Sequence, residues 1–521
     1  INICNDKYHT DITFQNIVQS GLDDPKVYQL LQKGYTQNIF QFSSKGMTKF
    51  LVSMQPDKIE DLIAANALFR PATLDSGSTD KYVDCKLGDA DPVYLWGTYN
   101  AMKNTYGVLC YQEQLAQIAR EVGKFSLGEG VKLVKLISKK KVDKILALRD
   151  KFMAGANENG CPKEDAEAIW HMFEVAGGYL FNKSHATAYA VTAYAGAYLK
   201  ANYPTAFYTI ALQWAKDDEI PTLMSEMELC SEAKIVPPDI NVSGGTFITD
   251  YETNEIFWSL SRIKMLGAKA TEWIINERNV RGEFSSIENF IERIFRYKLK
   301  LYKYWDDPDN PNEATKCPVN ARHVRHLILS GCFDKVENAQ SVIERYAILE
   351  KAAKCLGFEI SEKDIPEDLR NKHYFWSQQQ IAISGIGAID YKRIYDNSEA
   401  KPKIKGKASW ALLKNIQDPD YDGKRVAICA NIVDIEEKKF KDKKTGENRV
   451  FCKLLLQQNN DLVEMVIWND EWMNVRATLC KGGSLSSAKN KMLICSAQVK
   501  YSDYTGGNNL QLYKSSIIDI L

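Results

Sequence analysis

From residue 423 onward, apolar and polar positions alternate in short runs: RVAICANIVDIEEKKF, NRVFCKLLLQQ, DLVEMVIWND, MLICSAQVKYSD and NLQLYKSSIIDI. A period of two turns one face inward, which is the signature of strands. KKTGEN and TGGNN between the runs are good hairpin turns. Five strands with a break after the third predict a small all-β domain, an OB-fold barrel. Upstream the pattern is helical. Residues 22–33 read as a helix opened by Asp24 and Pro25, and residues 93–122 as helices with Tyr111-Gln112-Glu113-Gln114 in the second. Residues 163–200 give two helices flanking a polar turn, 205–233 an amphipathic helix, and 257–295 a small strand followed by more helix. Pro237-Pro238 makes a rigid extended turn. The fold class is therefore mainly α, followed by the OB-fold. Residues 302–317 read as a polar surface insertion, and 335–422 hold a helix and a Lys-rich linker, KPKIKGK at 401–407.

Composition changes this picture little. A length of 521 residues fits about three domains. The 67 basic and 67 acidic residues cancel, so any nucleic-acid surface must come from local clustering. There is no apolar run of membrane-span length and no signal-peptide pattern. The twelve cysteines are scattered without a CxxC pair. A zinc site of ordinary spacing is not expected. Cys110, Cys429, Cys452 and Cys495 sit in apolar segments and read as buried thiols of a reducing cytosol. The chain begins with Ile1, which suggests part of a longer protein.

The chemistry is densest at 177–204, GGYLFNKSHATAYAVTAYAGAYLKANYP. Four polar residues, Asn182, Lys183, Ser184 and His185, precede a run rich in Ala and Tyr that Pro204 ends. Ser184 is a candidate N-cap of a helix over 185–202. A helix N-terminus suits an anion such as a phosphate, and Lys183 and His185 add donors there. The small residues allow something bulky to approach, and Tyr189 and Tyr194 offer flat faces. The alternative is a buried packing helix with an ordinary polar cap. Arg70 is forced extended by Pro71, a posture suited to holding a phosphate or carboxylate. Ser43-Ser44-Lys45-Gly46 reads either as a phosphate-holding turn or as a capped helix start. Lys132, Lys135 and Lys139 share one helical face, next to Lys140, Lys141 and Lys144.

FNKSHATAYA (181–190) resembles the FNKSH motif of the C-family bacterial replicative DNA polymerases, the DNA polymerase III alpha subunits. NIFQFSSKGM (38–47), EDLIAANALFRPATLDSG (60–77), TYGVLCYQEQLAQIA (105–119) and IVPPDIN (235–241) resemble further motifs of that family, in its order. The resemblance is strong over residues 20–335 and looser beyond. It implies polymerase fingers over 1–240, a helical, helix-hairpin-helix duplex-binding region over 241–335, a mixed linker over 336–422 and an OB-fold over 423–521. It implies that Arg70, Lys135, Asn182, Lys183, Ser184, His185 and Tyr189 bind the incoming nucleotide. DNA would be met by Lys139, Lys140, Lys141, Lys264 and Lys269. On the OB-fold the candidates are Lys438, Lys439, Lys441, Lys443, Lys444, Trp468 and Tyr504, with a solvated hairpin and a core tryptophan as the alternative.

The same resemblance implies primer–template DNA and dNTP as partners, with a sliding clamp and other replisome subunits beside them, in the cytoplasm and away from membranes. No clamp-binding segment is recognisable. The family's catalytic carboxylates and their Mg2+ lie in a palm domain that precedes these motifs, so no catalytic residue and no metal ligand is expected in this chain. Several positions depart from the family pattern: Ala72-Thr73 for Gly-Pro, Val134 for a basic residue, Ser138 and Leu180 for glycines, and Lys269 for the second glycine of the hairpin loop. A non-catalytic DNA-binding or scaffold protein of polymerase origin is the competing expectation.

Overall fold

The computed structural model describes residues 1–138, 142–176, 179–295, 317–387, 391–396, 398–404, 407–441, 447–459, 461–480, 483–489, 491–502, 507–512 and 518–520. The insertion expected at 302–317, the Gly177-Gly178 pair and Lys139, Lys140 and Lys141 lie essentially outside these residues. So do Lys443, Lys444 and Tyr504. The chain divides into two compact units, Ile1–Ala206 and Phe207–Leu521.

The first unit is helical. Helix α1 (Pro25–Gln32) opens as Asp24 accepts from the Lys26 amide, with proline at the first helical position. Helix α2 (Lys45–Met54) is capped by Ser44, whose hydroxyl accepts from the Met47 amide. The Ser43–Gly46 stretch is thus a capped helix start. Helix α3 (Ile59–Leu68) is buried along most of its length and delivers Arg70, which is extended as the following proline requires (φ −150°, ψ 155°). Helix α4 (Ser78–Leu87) meets α3 through a buried ion pair between Lys86 and Asp61.

Helices α5 (Gln112–Glu121), α6 (Leu127–Ser138), α7 (Val142–Glu158) and α8 (Lys163–Ala176) wrap a core of Leu115, Ile118, Leu133, Phe152, Trp170 and Phe173. Two glycines let α7 approach the end of α5: a Cβ on Gly155 would stand 2.1 Å from the Gly123 carbonyl oxygen. Helix α9 (Lys183–Asn202) follows, with alanines 186, 190, 193 and 197 on its buried face.

In the second unit, α10 (Pro204–Trp214, which spans the division) and α11 (Ile220–Cys230) precede a three-stranded sheet. Its strands β1 (Lys234–Val236), β2 (Ile248–Asp250) and β3 (Glu255–Phe257) stand in the order β1-β3-β2. A 3-10 turn at Leu260–Arg262 leads through residues 263–267 into α12 (Ala268–Arg281), then α13 (Ile287–Ile294). Glu277 is fully buried and held by Arg293 at 3.0 Å and Arg281 at 3.3 Å, which pins α12 to α13. Helices α14 (Ala321–Leu329), α15 (Arg345–Leu356) and α16 (His373–Ser384) complete this core.

The C-terminal strands form a closed barrel. Strand β4 (Ser409–Trp410) adds to the edge of β5 (Arg425–Lys441), which continues with β6 (Asn448–Gln458) and β7 (Asp461–Ile467). The long β5 pairs with β8 (Met492–Ser502) in its first half and with β6 in its second, with an irregularity at Ile432/Asp434. Strand β9 (Gly507–Gln511) runs parallel to β7 and antiparallel to β8. The circuit β5-β6-β7-β9-β8-β5 is the five-stranded OB-fold order. The break after the third strand holds helix α17 (Asn469–Cys480), so the domain is not purely β. Trp472 of α17 is fully buried and donates to Glu437 at 2.7 Å. The strand β10 (Ile518–Ile520) pairs with β8.

The cysteines are all free thiols, and all but Cys230 and Cys355 are buried. Burial pushes the Cys110, Cys429, Cys452 and Cys495 thiols up, so they stay protonated. Among the described residues no helix is long and apolar enough to cross a membrane.

Candidate functional site

Helix α9 begins two residues earlier than its alanine run suggests, and its N-cap is Asn182. The Asn182 Oδ1 accepts from the His185 amide at 2.9 Å. Ser184, the expected cap, is already inside the helix, and its hydroxyl donates to the same Asn182 oxygen at 2.6 Å. Asparagine caps as well as serine does, and the helix takes the earlier of the two candidates.

The approach to this cap is fixed by α5. The Phe181 amide donates to the Cys110 carbonyl at 2.9 Å, and the Gln112 amide to the Phe181 carbonyl at 2.8 Å, a one-residue parallel bridge. Gln114 locks the other side. Its Oε1 accepts from the Cys110 and Tyr111 amides, while its amide group donates to Thr105 at 2.6 Å and to the Ala101 carbonyl. Glu113 then reaches across to α9. One carboxylate oxygen accepts from the Asn182 side-chain amide at 3.0 Å and the other from the Lys183 backbone amide at 2.9 Å. Of the four polar groups of Tyr111-Gln112-Glu113-Gln114, two serve the local frame and Glu113 serves the helix mouth.

Cations and aromatic rings line up beside this mouth. The Arg70 guanidinium sits 4.0 Å over the Phe181 ring, and Lys183 Nζ is 5.6 Å from the Tyr111 ring centre. His185 is 5.4 Å from Phe181 and 4.1 Å from Tyr189, whose ring is 5.1 Å from the exposed Phe40. Six of the seven expected nucleotide residues, Arg70, Asn182, Lys183, Ser184, His185 and Tyr189, thus fall in one neighbourhood. Arg70 is half-committed: its Nε and Nη2 donate to the Ala67 carbonyl, and Nη2 also reaches the Tyr179 carbonyl at 3.5 Å. Burial lowers its pKa, though a guanidinium stays charged at any ordinary pH. Lys135 is exposed on α6. Its neighbour Val134 lines a cleft of about 360 Å³ together with Gln112, Glu113, Ala116, Gln117, Arg120, Leu127, Val131 and Asn182. The departure from a basic residue at Val134 therefore places an apolar wall in a cleft that opens at the α9 mouth. Phe181 and Phe40 escaped sequence reasoning, which left open whether Glu113 and its three polar neighbours face a ligand or a neighbouring element. An acidic residue in the first turn of a helix is the one local signal that pointed to Glu113, and it does not say which helix mouth the carboxylate serves.

The second surface is the turn before α12. Lys264 and Lys269 are both exposed, and Gly267 stands at the N-cap without a side-chain cap bond. Residues 261–267 with Asp217 line a cleft of about 500 Å³. The turn is braced from behind: the Lys264 amide donates to the Ile383 carbonyl, and His326 Nδ1 donates to the Lys264 carbonyl at 2.6 Å. Met265 takes a positive φ of 71°, the strain that falls on the residue facing outward at 60% exposure.

On the barrel, Trp468 is 41% exposed and is not the core tryptophan; that role belongs to Trp472. Trp468, Phe440 and Phe451 form a ring cluster with centres 5.3 to 5.8 Å apart on the outer side of β5, β6 and β7. Lys438 and Lys439 are exposed on the adjoining part of β5. Lys441 ends that strand, and its side chain lies outside the described residues.

Two family models match the chain. Residues 1–160 match the bacterial DNA polymerase III alpha subunit finger domain, and residues 232–303 match a helix-hairpin-helix motif. Over most of its length the chain is similar to bacterial DNA polymerase III alpha subunits. Among curated proteins, the DNA polymerase III subunit alpha of Aquifex aeolicus is 35% identical over 340 residues, 65% of this chain and 27% of that protein. The subunit of Escherichia coli K12 is 28% identical over an alignment of 528 residues, 97% of this chain and 42% of that protein. That of Thermus aquaticus is 36% identical over 285 residues, 52% of this chain and 23% of that protein. The chain spans less than half the length of these relatives.

Proposed function

We propose that this chain works as the fingers and DNA-holding part of a DNA-directed DNA polymerase alpha subunit in the cytoplasm. Residues 1–240 hold the incoming dNTP, 241–335 grip duplex, 336–422 link, and 423–521 hold single strand. Arg70, Lys183, His185 and Tyr189 present charge and ring faces to the nucleotide, with Asn182 and Ser184 shaping the helix mouth and Lys135 adding charge from α6. Lys264 and Lys269 meet duplex phosphates, since a helix-hairpin-helix turn offers sequence-independent backbone contact. Lys439, Lys441 and Trp468 meet single strand by charge and stacking. A sliding clamp and other replisome subunits are further partners without an assigned segment. The observation that supports the reading is the gathering of residues from four motifs, Phe40, Arg70, Glu113 and the 181–189 stretch, around one helix mouth.

Phosphoryl transfer in such an enzyme uses Mg2+ held by carboxylates. Among the described residues no three His, Cys, Asp or Glu side chains gather as a metal site. No catalytic step is assigned to the described residues. We expect no primer extension by this chain alone.

Fluorescence anisotropy tests the reading. A labelled primer–template with a 5′ overhang is compared with blunt duplex and single strand at several salt concentrations. Steeply salt-dependent binding that prefers the junction is expected. Binding to single strand only would leave the OB-fold as the sole active module and favour a non-catalytic scaffold.

A further inference from the structure

We propose that Glu113 is a positioning residue for nucleotide binding, acting through Asn182 and Lys183. The inference rests on the nucleotide reading of the α9 mouth and adds to it a residue and a mechanism. Glu113 stands on a rigid frame, since Gln114 and the bridge to Phe181 fix the backbone on both sides of it. Each carboxylate oxygen takes one donor, the Asn182 side-chain amide and the Lys183 backbone amide. The first bond decides which way the Asn182 amide faces. With its NH2 on Glu113, its oxygen must turn to the His185 amide and the Ser184 hydroxyl. Without the carboxylate, the asparagine amide is free to flip and the first turn loses its register.

The same two bonds settle which donors remain for an anion. The Lys183 and His185 amides are already used. Among the described residues the Ser184 amide has no acceptor within the chain, and Lys183 and His185 flank it in the sequence. A phosphate is therefore met by Ser184 N–H, the Lys183 ammonium and the His185 ring. Glu113 holds these three in one arrangement. If Glu113 were only a nearby negative charge, its removal would tighten phosphate binding. As a positioning residue, its removal weakens it, and the two readings differ in sign.

The test uses the full chain and dATP, followed by isothermal titration calorimetry, with Glu113→Gln, Lys183→Ala and the double variant. Glutamine keeps the shape but turns a donor towards a donor at one of the two contacts. Glu113→Gln is expected to weaken dATP binding about tenfold, the scale of one charge-assisted hydrogen bond, with an unchanged melting temperature. The double variant is expected to lose less than the sum of the two single losses, because Glu113 orients the first turn from which the lysine reaches out. Unchanged or tighter binding in Glu113→Gln overturns the proposal, as do fully additive losses. Should Glu113→Gln fail to fold, Glu113→Asp gives the same test, since it keeps the charge but is one methylene short of spanning both donors. A wild-type chain that binds no dATP overturns the nucleotide reading itself, and this proposal with it.

Discussion

Replacing Lys86 with methionine strands a buried carboxylate. Asp61 is fully buried and accepts from Tyr82 Oη at 2.9 Å, the Asp57 amide at 3.1 Å and Lys86 Nζ at 2.8 Å. Lys86 is itself only 4% exposed and also meets Asp57 at 3.0 Å. Burial pushes the Asp61 carboxyl up, against the pull of Lys86 and the Asp57 amide. Burial works to lower the Lys86 pKa, but the two carboxylates more than offset it and leave it raised. Methionine fills the volume of the lysine stem and removes only the charge. Breaking a buried pair by removing one partner costs about 3–5 kcal/mol. Unfolding entropy is about 2.1 cal/mol/K per residue, so for the 206 residues of the first unit the melting temperature should fall by about 7–12 °C. Differential scanning calorimetry of wild type, Lys86→Met and Asp61→Asn/Lys86→Met measures it. The double variant should recover most of the loss, because asparagine keeps an oxygen for Tyr82 and carries no charge. A single variant that melts within about 2 °C of wild type, or a double variant no better than the single, would refute the stranded-charge argument.

Two further outcomes follow from individual contacts. Glu129 accepts from the Ser126 amide and hydroxyl, both at 3.0 Å, and pairs with Lys151, bonds that bring its carboxyl from an ordinary 4.5 down to about 2. A depressed folded pKa contributes stability above the unfolded value, so this contribution is present at neutral pH and is lost as pH falls from about 5 to about 2. Urea unfolding midpoints of Glu129→Gln should therefore vary less with pH over that window than those of wild type, and equal slopes would count against the clasp. Trp468→Ala should weaken binding of a labelled single strand about tenfold, since one base–aromatic stack contributes about 1–3 kcal/mol. Blunt-duplex binding should not change; an equal loss on duplex would move Trp468 out of the stacking role.

The sequence carried the elements better than it carried their ends. The Asp24-Pro25 start of α1 and the barrel strands were legible because capping and alternation act within a few residues. The α9 cap was misplaced by two residues because Asn182 and Ser184 are both good caps, and the contact that holds the Asn182 amide comes from Glu113, 69 residues away. The α17 helix hid inside the break after the third strand, where its polar first turn reads as a loop. Trp468 and Trp472 illustrate the limit most plainly. Both lie after the same strand, and only the packing of α17 decides that one is exposed and the other fully buried. The close approach of Gly155 to Gly123 is likewise invisible without the crossing of α7 over the α5 end.

The occupied helix mouth changes how charge must be used at this site. A bare α9 N-terminus would bind a phosphate on its axis, with partial positive charge and several amides pointing at it. Here Glu113 already stands there and takes the Lys183 amide. The dipole is thereby used to hold the protein's own carboxylate, and attraction for a ligand falls to the side chains around it. Arg70 cannot supply all of that attraction, because two of its donor atoms serve the Ala67 and Tyr179 carbonyls and its plane lies on Phe181. Lys183, His185 and the Ser184 amide are the groups with charge or donors to give. On the proposed nucleotide reading, a triphosphate held in this way would lie across the first turn instead of along the axis. The row of rings that begins at Phe181 and ends at Phe40 runs beside that first turn, so a base attached to the phosphates would be carried towards Tyr189 and Phe40. On that reading the carboxylate of Glu113 sets the direction of the whole site, although it stands on α5 and the two residues it contacts open α9.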